Sequence, residues 1–308
     1  MHKRFLKIFQ TGLICSALFA FPAAYGQTDT TDLLSLLEPD EPVTNYVFAT
    51  FKSTRVINMH SIENPAAGVL DFRISHRFGA VNTGAENLWG LDVAAMRLGF
   101  EYGVTDRIMV GFGRSNINKE IDGFFKYKIL RQSSGKRNMP VSLSLFSSMV
   151  VRTTKWEDPD RKNYFTSRLF YCNQLLVARK FNDRLSIQFA PTWVHRNLIP
   201  DNTVKHDVFS IGTGGRFKMT KRSSFNWEYF YNLPDQLGPD YTNSLSLGFD
   251  IETGGHVFQL HLTNSKPMNE KGFISETTGD WAKGDIMFGF NVSRMFGVVK
   301  PKHKGEKH

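Results

Sequence analysis

The segment at residues 69–78 has two chemically opposite faces, because side chains alternate between the two sides of a strand. One face carries Leu70, Phe72, Ile74 and Phe78, and the other carries Asp71, Arg73, Ser75 and Arg77. About a dozen later segments of about ten residues repeat this pattern, which a barrel with an apolar outside and a polar inside requires. The chain is therefore predicted to be all-β: a single closed antiparallel transmembrane β-barrel of about 12 strands.

The connections between the predicted strands alternate in length. The strands are predicted at 69–78, 93–102, 107–115, 121–131, 141–152, 164–179, 185–196, 207–219, 224–233, 243–252, 256–264 and 284–296. Odd-numbered connections are polar and often long, as at 79–92 and 265–283, whereas most even-numbered ones are short turns, the longest being 132–140. This alternation predicts long loops on one rim of the barrel, with short turns and both chain ends on the other rim.

The chain outside the barrel falls into three further segments. Residues 1–26 combine a basic start with an apolar run that is too short to span a bilayer, and they are predicted to be a cleaved secretory signal peptide. Residues 27–67 form a periplasmic leader or a possible lumen plug, residues 68–296 the barrel, and residues 297–308 a basic tail. Within the leader, residues 46–62 leave three alternatives open: an extra strand, a plug in the lumen or a periplasmic lid.

Charge and cysteine content argue against a nucleic-acid partner and against an internal disulfide. The net charge of +9 falls to +6 when Lys3, Arg4 and Lys7 of the signal segment are removed. The basic residues are scattered rather than grouped on one face, which argues against a nucleic-acid partner. Cys172 is the one cysteine after the signal segment, so no disulfide within the exported chain is expected.

The last predicted strand ends at an aromatic residue, Phe296, in phase with its apolar face. An aromatic residue in that position resembles the terminal signal by which the outer-membrane assembly machinery recognises barrel proteins. The expected partners are therefore outer-membrane lipid, the assembly machinery and a possible small solute. The expected location is the outer membrane of a Gram-negative bacterium.

Several stretches of the chain carry a resemblance to a known family. They are residues 51–58, 60–65, 72–79, 136–141, 158–164 and 251–260. On these stretches the chain resembles a family of outer-membrane β-barrels of unknown function from Bacteroidetes-type Gram-negative bacteria. The resemblance covers most of residues 40–296. It implies a barrel in the outer membrane and implies no particular substrate.

The residues give little sign of catalytic or metal chemistry. His60–Ser61 is the one adjacent His–Ser pair and lies before the barrel, while His76 and His195 fall on the apolar parity near strand ends. His256 and His261 are five residues apart, so a strand directs them to opposite faces. No catalytic residue, metal site or cofactor is predicted, and lipid hydrolysis is the third functional alternative.

The lumen is the main candidate site. By strand parity, the lumen-lining candidates are Arg73, Arg77, Arg97, Glu101, Lys126, Lys128, Arg152, Arg196, Arg216, Lys218, Glu228 and Asp250, joined by Asp71, Asp122 and Asp285. These charges either pair across the lumen and fill it, or line a narrow water path that favours anions. The first functional hypothesis is a narrow pore or facilitator for small, anionic solutes. The alternative is a non-transporting barrel that anchors or organises envelope components.

Overall fold

The computed structural model describes residues 43–156, 158–199 and 203–299. The predicted signal peptide, the leader up to residue 42 and the basic tail from Lys300 onward lie outside these residues. The described strands are β1 Thr44–Tyr46, β2 Val69–Ala80, β3 Ala95–Gly103, β4 Ile108–Ser115, β5 Glu120–Leu130, β6 Ser133–Gly135, β7 Ser142–Arg152, β8 Leu169–Lys180, β9 Leu185–Arg196, β10 Asp207–Lys218, β11 Ser223–Asn232, β12 Leu245–Thr253, β13 His256–Thr263 and β14 Met287–Gly297. One short helix, α1, covers Glu270–Ser275.

Among the described strands, all except β1 and β6 form one closed antiparallel barrel of twelve strands. The ring closes where β14 pairs with β2, from Gly297 opposite Val69 to Met287 opposite Ala80. Closure leaves no strand edge unpaired, which removes the main route to edge-to-edge association. The predicted fold class is confirmed, and the small β1–β6 sheet stands apart from the barrel.

Two strand starts were predicted three or more residues too early. β8 begins at Leu169 rather than 164, because Phe165–Arg168 form a 3-10 turn. β14 begins at Met287 rather than 284, because Trp281–Lys283 form another turn that ends at Gly284 in a left-handed conformation. Asp285 therefore lies in a loop, where its side chain accepts a hydrogen bond from Asn82, and its predicted inward position on the last strand is wrong.

The two rims of the barrel differ as predicted. The turn rim carries the connections 104–107, 131–141, 181–184, 219–222 and 254–255, together with the start of β2 and the end of β14. The loop rim carries 81–94, 116–119, 153–168, 197–206, 233–244 and 264–286. The loop at 116–119 is as short as a turn. The length of a single connection therefore does not show on which rim it lies, whereas its place in the alternation along the whole chain does.

The alternation of faces also holds in the structure. On β2, Asp71, Arg73 and Arg77 are buried inside the barrel, whereas the alternating positions, such as Phe72 and Ile74, lie on the outer surface. Large apolar side chains cover that outer surface on the other strands, among them Phe100, Phe112, Phe189, Phe209 and Phe249. Within the described residues, no helix has the length and apolar character of a membrane span.

Part of the inner wall is apolar, which strand parity did not predict. The inward apolar side chains are Met109, Phe124, Phe146, Cys172, Leu176, Ala178, Ala190, Val194, Val208 and Phe230, on β4 to β11. They form one buried cluster with Phe51, Val56, Met59 and Ile62 of the leader and with Phe273 and Ile274 of α1. The barrel therefore encloses a packed apolar core as well as its buried charges.

Two inward glycines, Gly99 and Gly113, make room for the guanidinium of Arg97. A Cβ at Gly113 would lie 2.1 Å from Nη2 of Arg97, and Arg97 cannot swing away because its Nε donates to Oδ1 of Asp122 at 2.9 Å. We expect Gly113→Ala to lower the free energy of unfolding by about 1–3 kcal/mol, as other overpacked cores do. Urea unfolding of barrels folded in lipid vesicles measures the change.

Gly123 provides the matched control for that substitution. A Cβ at Gly123 would have Gly111 O, at 4.0 Å, as its nearest neighbour. Gly123→Ala should therefore shift the free energy of unfolding by less than about 0.5 kcal/mol. Equal unfolding midpoints for the two alanine variants would show that the close contact between Arg97 and the glycines does not affect the stability of the barrel.

Candidate functional site

Residues 50–62 enter the barrel from the turn rim and fold back on themselves inside it; we call this segment the lumen hairpin. Val56 N–H donates to Met59 O and Ser61 N–H donates to Thr54 O, each at 2.8 Å. All residues of the hairpin except Lys52 are buried. Of the segment 46–62, residues 50–62 lie inside the lumen, whereas Tyr46 belongs to β1 and residues 47–49 lie outside the lumen at the turn rim.

The tip of the lumen hairpin is held by the carboxylate of Glu228 on β11. Its Oε2 accepts the N–H groups of Ile57, Asn58 and Met59 at 3.2, 2.9 and 3.0 Å. Its Oε1 accepts Nδ2 of Asn58 at 2.6 Å. Successive backbone N–H groups that point to one side form a concavity for an anion, and here the barrel wall supplies that anion.

Other inward side chains satisfy the carbonyl groups of the hairpin. Each of these bonds runs from the wall to a backbone oxygen: Lys126 Nζ to Ser61 O at 2.9 Å, Gln188 Nε2 to His60 O at 2.7 Å, Gln259 Nε2 to Val56 O at 2.6 Å and Asn291 Nδ2 to Ile57 O at 3.1 Å. An irregular backbone in a closed interior needs such partners, because a buried polar group without one is costly. The polar wall therefore complements this particular segment.

The loop at 264–286 fills the lumen from the loop rim. All six residues of α1 are buried, and Oδ1 of Asn269 caps the helix by accepting Gly272 N–H at 2.8 Å. Nζ of Lys271 donates to Oε1 of Glu120 on β5 at 2.8 Å, and the Phe273 ring lies 5.2 Å from that of Phe230. No periodicity in the chain predicts α1, because six residues are too few for a helical period to emerge.

The lumen hairpin and α1 meet near the middle of the barrel. Arg55 Nη1 donates to Oε1 of Glu270 at 2.8 Å, and Arg55 Nε donates to Oε1 of Glu101 on β3 at 3.2 Å. The three side chains are almost fully buried, at 3% exposure for Arg55 and 0% for both carboxylates. Arg55 is thus an ionic connection between the wall, the segment from the turn rim and the segment from the loop rim.

His60 lies beside this ion pair, with Nε2 at 3.5 Å from Oε1 of Glu270. Its ring packs against Phe124 and Phe146, with centroids 4.6 and 4.3 Å apart. Burial, together with the cations of Arg55 and Lys126, holds the pKa of His60 well below its usual value. His60 is therefore neutral at pH 7, and the central charges are those of Arg55 and its carboxylates.

The structure places the predicted lumen-lining side chains on the inner wall. Those buried to 9% exposure or less are Arg73, Arg77, Arg97, Glu101, Lys126, Arg196, Arg216, Glu228 and Asp250, with Asp71 and Asp122 beside them. Lys128 and Lys218 are half-buried near the turn rim, and Arg152 is half-buried near the loop rim.

Only some of these residues contact the hairpin or the residues just before it. They are Asp71, Arg73, Arg77, Glu101, Lys126, Arg216 and Glu228. The others bind elsewhere: Arg97 pairs with Asp122, Arg196 donates to Lys205 O, Arg152 pairs with Glu276 and Asp250 accepts from Gln259. Their role in any transport stays a prediction.

Sequence reasoning missed the uncharged part of the site. Gln188, Gln259 and Asn291 have the same inward parity as the charged residues, so extending the parity rule to amides would have found them. Glu120 also faces inward, at the start of β5. Arg55, His60 and Glu270 lie outside the barrel strands, where parity gives no information.

The remaining candidates lie on the outer surface or in the hairpin. Phe296 faces outward, one residue before the end of β14, and its role in assembly stays a prediction. His76 stacks on the Phe290 ring at 4.9 Å, and His195 Nδ1 lies 2.8 Å from Oδ1 of Asp207. His60–Ser61 lies inside the lumen. Within the described residues, no cluster of three or more His, Cys, Asp or Glu side chains could hold a metal.

A family model described as a membrane bound beta barrel domain, of unknown function, matches residues 51–296. The chain belongs to this family. The match confirms the resemblance seen in the sequence and shows that the barrel is membrane-bound, while the Bacteroidetes-type origin stays a prediction. The matched region begins inside the lumen hairpin, so the family model covers most of the plug as well as the barrel. No curated protein matches this chain.

Solved outer-membrane barrels are similar in fold at low identity. The NanC porin has a TM-score of 0.47 at 8% identity, covering 73% of this chain and 98% of its own. The KdgM porin has a TM-score of 0.46 at 10% identity, covering 74% and 99%. An outer-membrane channel from Pseudomonas putida F1 has a TM-score of 0.44 at 13% identity, covering 75% and 96%. No functional conclusion is taken from these similarities.

Proposed function

We propose that the protein is a gated conduit of the bacterial outer membrane, closed by the lumen hairpin and open when the hairpin leaves the barrel. The observation that carries this proposal is the position of the hairpin ends. Thr50 N–H donates to Oε1 of Glu63 at 2.8 Å, so both ends of the hairpin lie together at the turn rim. A segment anchored in this way can withdraw as one unit, without threading a chain end through the lumen.

The wall behind the hairpin is suited to a water path. Withdrawal frees Arg73, Arg77 and Lys126, together with the carboxylates of Glu101 and Glu228. Polar and charged side chains of this kind line the aqueous interior of membrane barrels. Asp71, which accepts from Thr54 of the hairpin, is a third carboxylate on this wall, so the cations and carboxylates are equal in number and their count gives the path no charge preference.

Planar-bilayer conductance tests the gate directly. We expect the intact protein to be silent and a variant lacking residues 43–62 to conduct steadily. Heat-modifiable migration on a gel shows first that the variant is folded. Because α1 enters the lumen from the loop rim, the same measurement is made on a variant that also lacks α1. Silence of both folded variants would overturn the conduit and support a non-transporting barrel.

A second variant keeps the test informative if the deletion prevents folding. Glu228→Leu removes the acceptor for the hairpin tip and should produce openings in the full-length chain. Adding the pair Asn58→Cys and Ser246→Cys, in a Cys172→Ala background, should close the path until a reductant is added. Asn58 Nδ2 lies 3.1 Å from Ser246 Oγ, so these two side chains are in contact when the hairpin is seated. Conductance unaffected by oxidation and reduction would show that the hairpin is not the gate.

A non-transporting barrel is the second candidate, and one observation favours it. Phe51, Val56, Met59 and Ile62 of the hairpin belong to the same buried apolar cluster as the inner wall. A plug that completes the core of the protein is suited to permanent closure. In that case Glu228→Leu produces no openings in the full-length chain, and the barrel serves as an envelope anchor.

A further inference from the structure

A cavity of about 290 Å³ lies at the turn rim, between the barrel and the two ends of the lumen hairpin. The barrel contributes Asp106, Lys128, Arg131 and Ser142 to its lining. The leader contributes Val47, Phe48, Thr50 and the stretch 62–66. We call this cavity the rim pocket. Most of its lining therefore belongs to the leader, and Thr50 and Ile62 are the two ends of the lumen hairpin itself.

Two cations in the rim pocket have no anionic partner among the described residues. Lys128 is half-buried, and its ammonium group has no hydrogen bond or ion pair within the described part of the chain. The Arg131 guanidinium lies over the rings of Tyr46 and Phe48, at 4.3 and 5.1 Å, and no carboxylate of the described chain pairs with it. A partly buried cation without a partner is unfavourable, and a bound anion relieves that cost.

The acidic side chains of the pocket, Glu63 and Asp106, attract Lys128 electrostatically but do not contact it. Oε1 of Glu63 accepts the N–H of Thr50, and no ion pair joins Glu63 or Asp106 to Lys128 or Arg131 in the described chain. The carbonyl oxygen of the Asn64 side chain is also buried without a hydrogen-bond donor. The pocket thus has two donors for a carboxylate and one free acceptor.

We propose that the rim pocket binds a small carboxylic acid with a short apolar body. Lys128 and Arg131 would bind the carboxylate, since charge-assisted hydrogen bonds of this type are the strong ones. Val47, Phe48, Ile62 and Pro65 would cover the apolar body. The volume is at the lower end of the range for ligand pockets, roughly 300–1,000 Å³, which suits a molecule the size of benzoate.

A ligand in this position bridges the barrel and the leader. Because it contacts residues on both sides of the hairpin entrance, it binds more tightly when the hairpin is seated, and it stabilises the seated state by the same factor. The effect on opening rests on the proposed function. The binding itself does not, because it requires only the closed structure.

Titration calorimetry on the full-length protein, folded in detergent, tests the site with benzoate as the probe. Benzamide is the matched control compound, because it has the same shape without the charge. We expect saturable benzoate binding that is at least tenfold tighter than benzamide binding. Lys128→Gln and Arg131→Gln should each weaken benzoate binding at least tenfold and leave benzamide unchanged.

Lys221→Gln is the control variant, because Lys221 is exposed in a turn on the same rim. It should bind benzoate as the unmodified protein does, and Arg131→Lys should keep part of the affinity. Equal binding of benzoate and benzamide, no saturation up to about 10 mM, or equal losses in Lys221→Gln and Lys128→Gln would each overturn the site. These results do not depend on conductance, so failure of the pocket and failure of the conduit are distinguishable.

Discussion

Replacing Glu228 with leucine should detach the tip of the lumen hairpin and lower the free energy of unfolding by at least about 3 kcal/mol. The carboxylate accepts three backbone N–H groups and one amide group, and leucine accepts none. Each buried donor left without an acceptor costs about 1–3 kcal/mol. Glu228→Gln keeps one acceptor oxygen and should lower the free energy of unfolding by less.

Maleimide labelling of a cysteine at residue 59 measures the detachment. Met59 is 0% exposed in the seated hairpin, so a Met59→Cys chain without Cys172 should label slowly. A loss of 3 kcal/mol in seating corresponds to labelling about 100-fold faster in Glu228→Leu. The control is Glu252→Gln, because Glu252 pairs with Lys52 at the half-exposed entrance and such pairs contribute about 1 kcal/mol or less. Similar labelling rates in the two variants would contradict the anchoring role of Glu228.

Replacing Arg55 with methionine should lower the free energy of unfolding more than any other single change at the centre of the lumen. Both Glu101 and Glu270 would then be buried without their ionic partner. Removing one member of a buried ion pair costs about 3–5 kcal/mol, because the remaining charge has lost its compensation. The charge-conserving Arg55→Lys should lower the free energy of unfolding by less. It should still lower it, because a lysine lacks the forked guanidinium that binds both carboxylates at once.

A double-mutant cycle identifies the origin of that loss. Glu270→Gln combined with Arg55→Met should recover about 1–3 kcal/mol relative to the sum of the single changes, because the uncompensated carboxylate is removed. Urea unfolding in lipid vesicles provides all four free energies. Strict additivity would mean that the hairpin and α1 are not coupled through this pair.

The sequence was informative where the chain has a regular period. Alternation gave the strands and their inward faces, and the loop lengths gave the two rims. The lumen contents were out of reach, because Arg55 and Glu270 come together from segments more than 200 residues apart that have no period of their own. Neither residue differs in its local sequence from a charged residue in a surface loop.

Strand parity was also insufficient for the inner wall. Phe124 and Lys126 have the same parity on β5, and both point inward. Parity fixes the side to which a residue points but not what fills the space there. The aromatic ring is buried because the hairpin supplies His60 against it, and that contact depends on a segment that the pattern left undecided.

The apolar inner wall makes emptying the lumen expensive. Four hairpin side chains pack against it, and exposing each to water costs about 1.5–3 kcal/mol. The sum, about 6–12 kcal/mol, means that fewer than about one barrel in 10,000 is empty at rest. A difference in solute concentration alone does not supply enough free energy to empty the lumen.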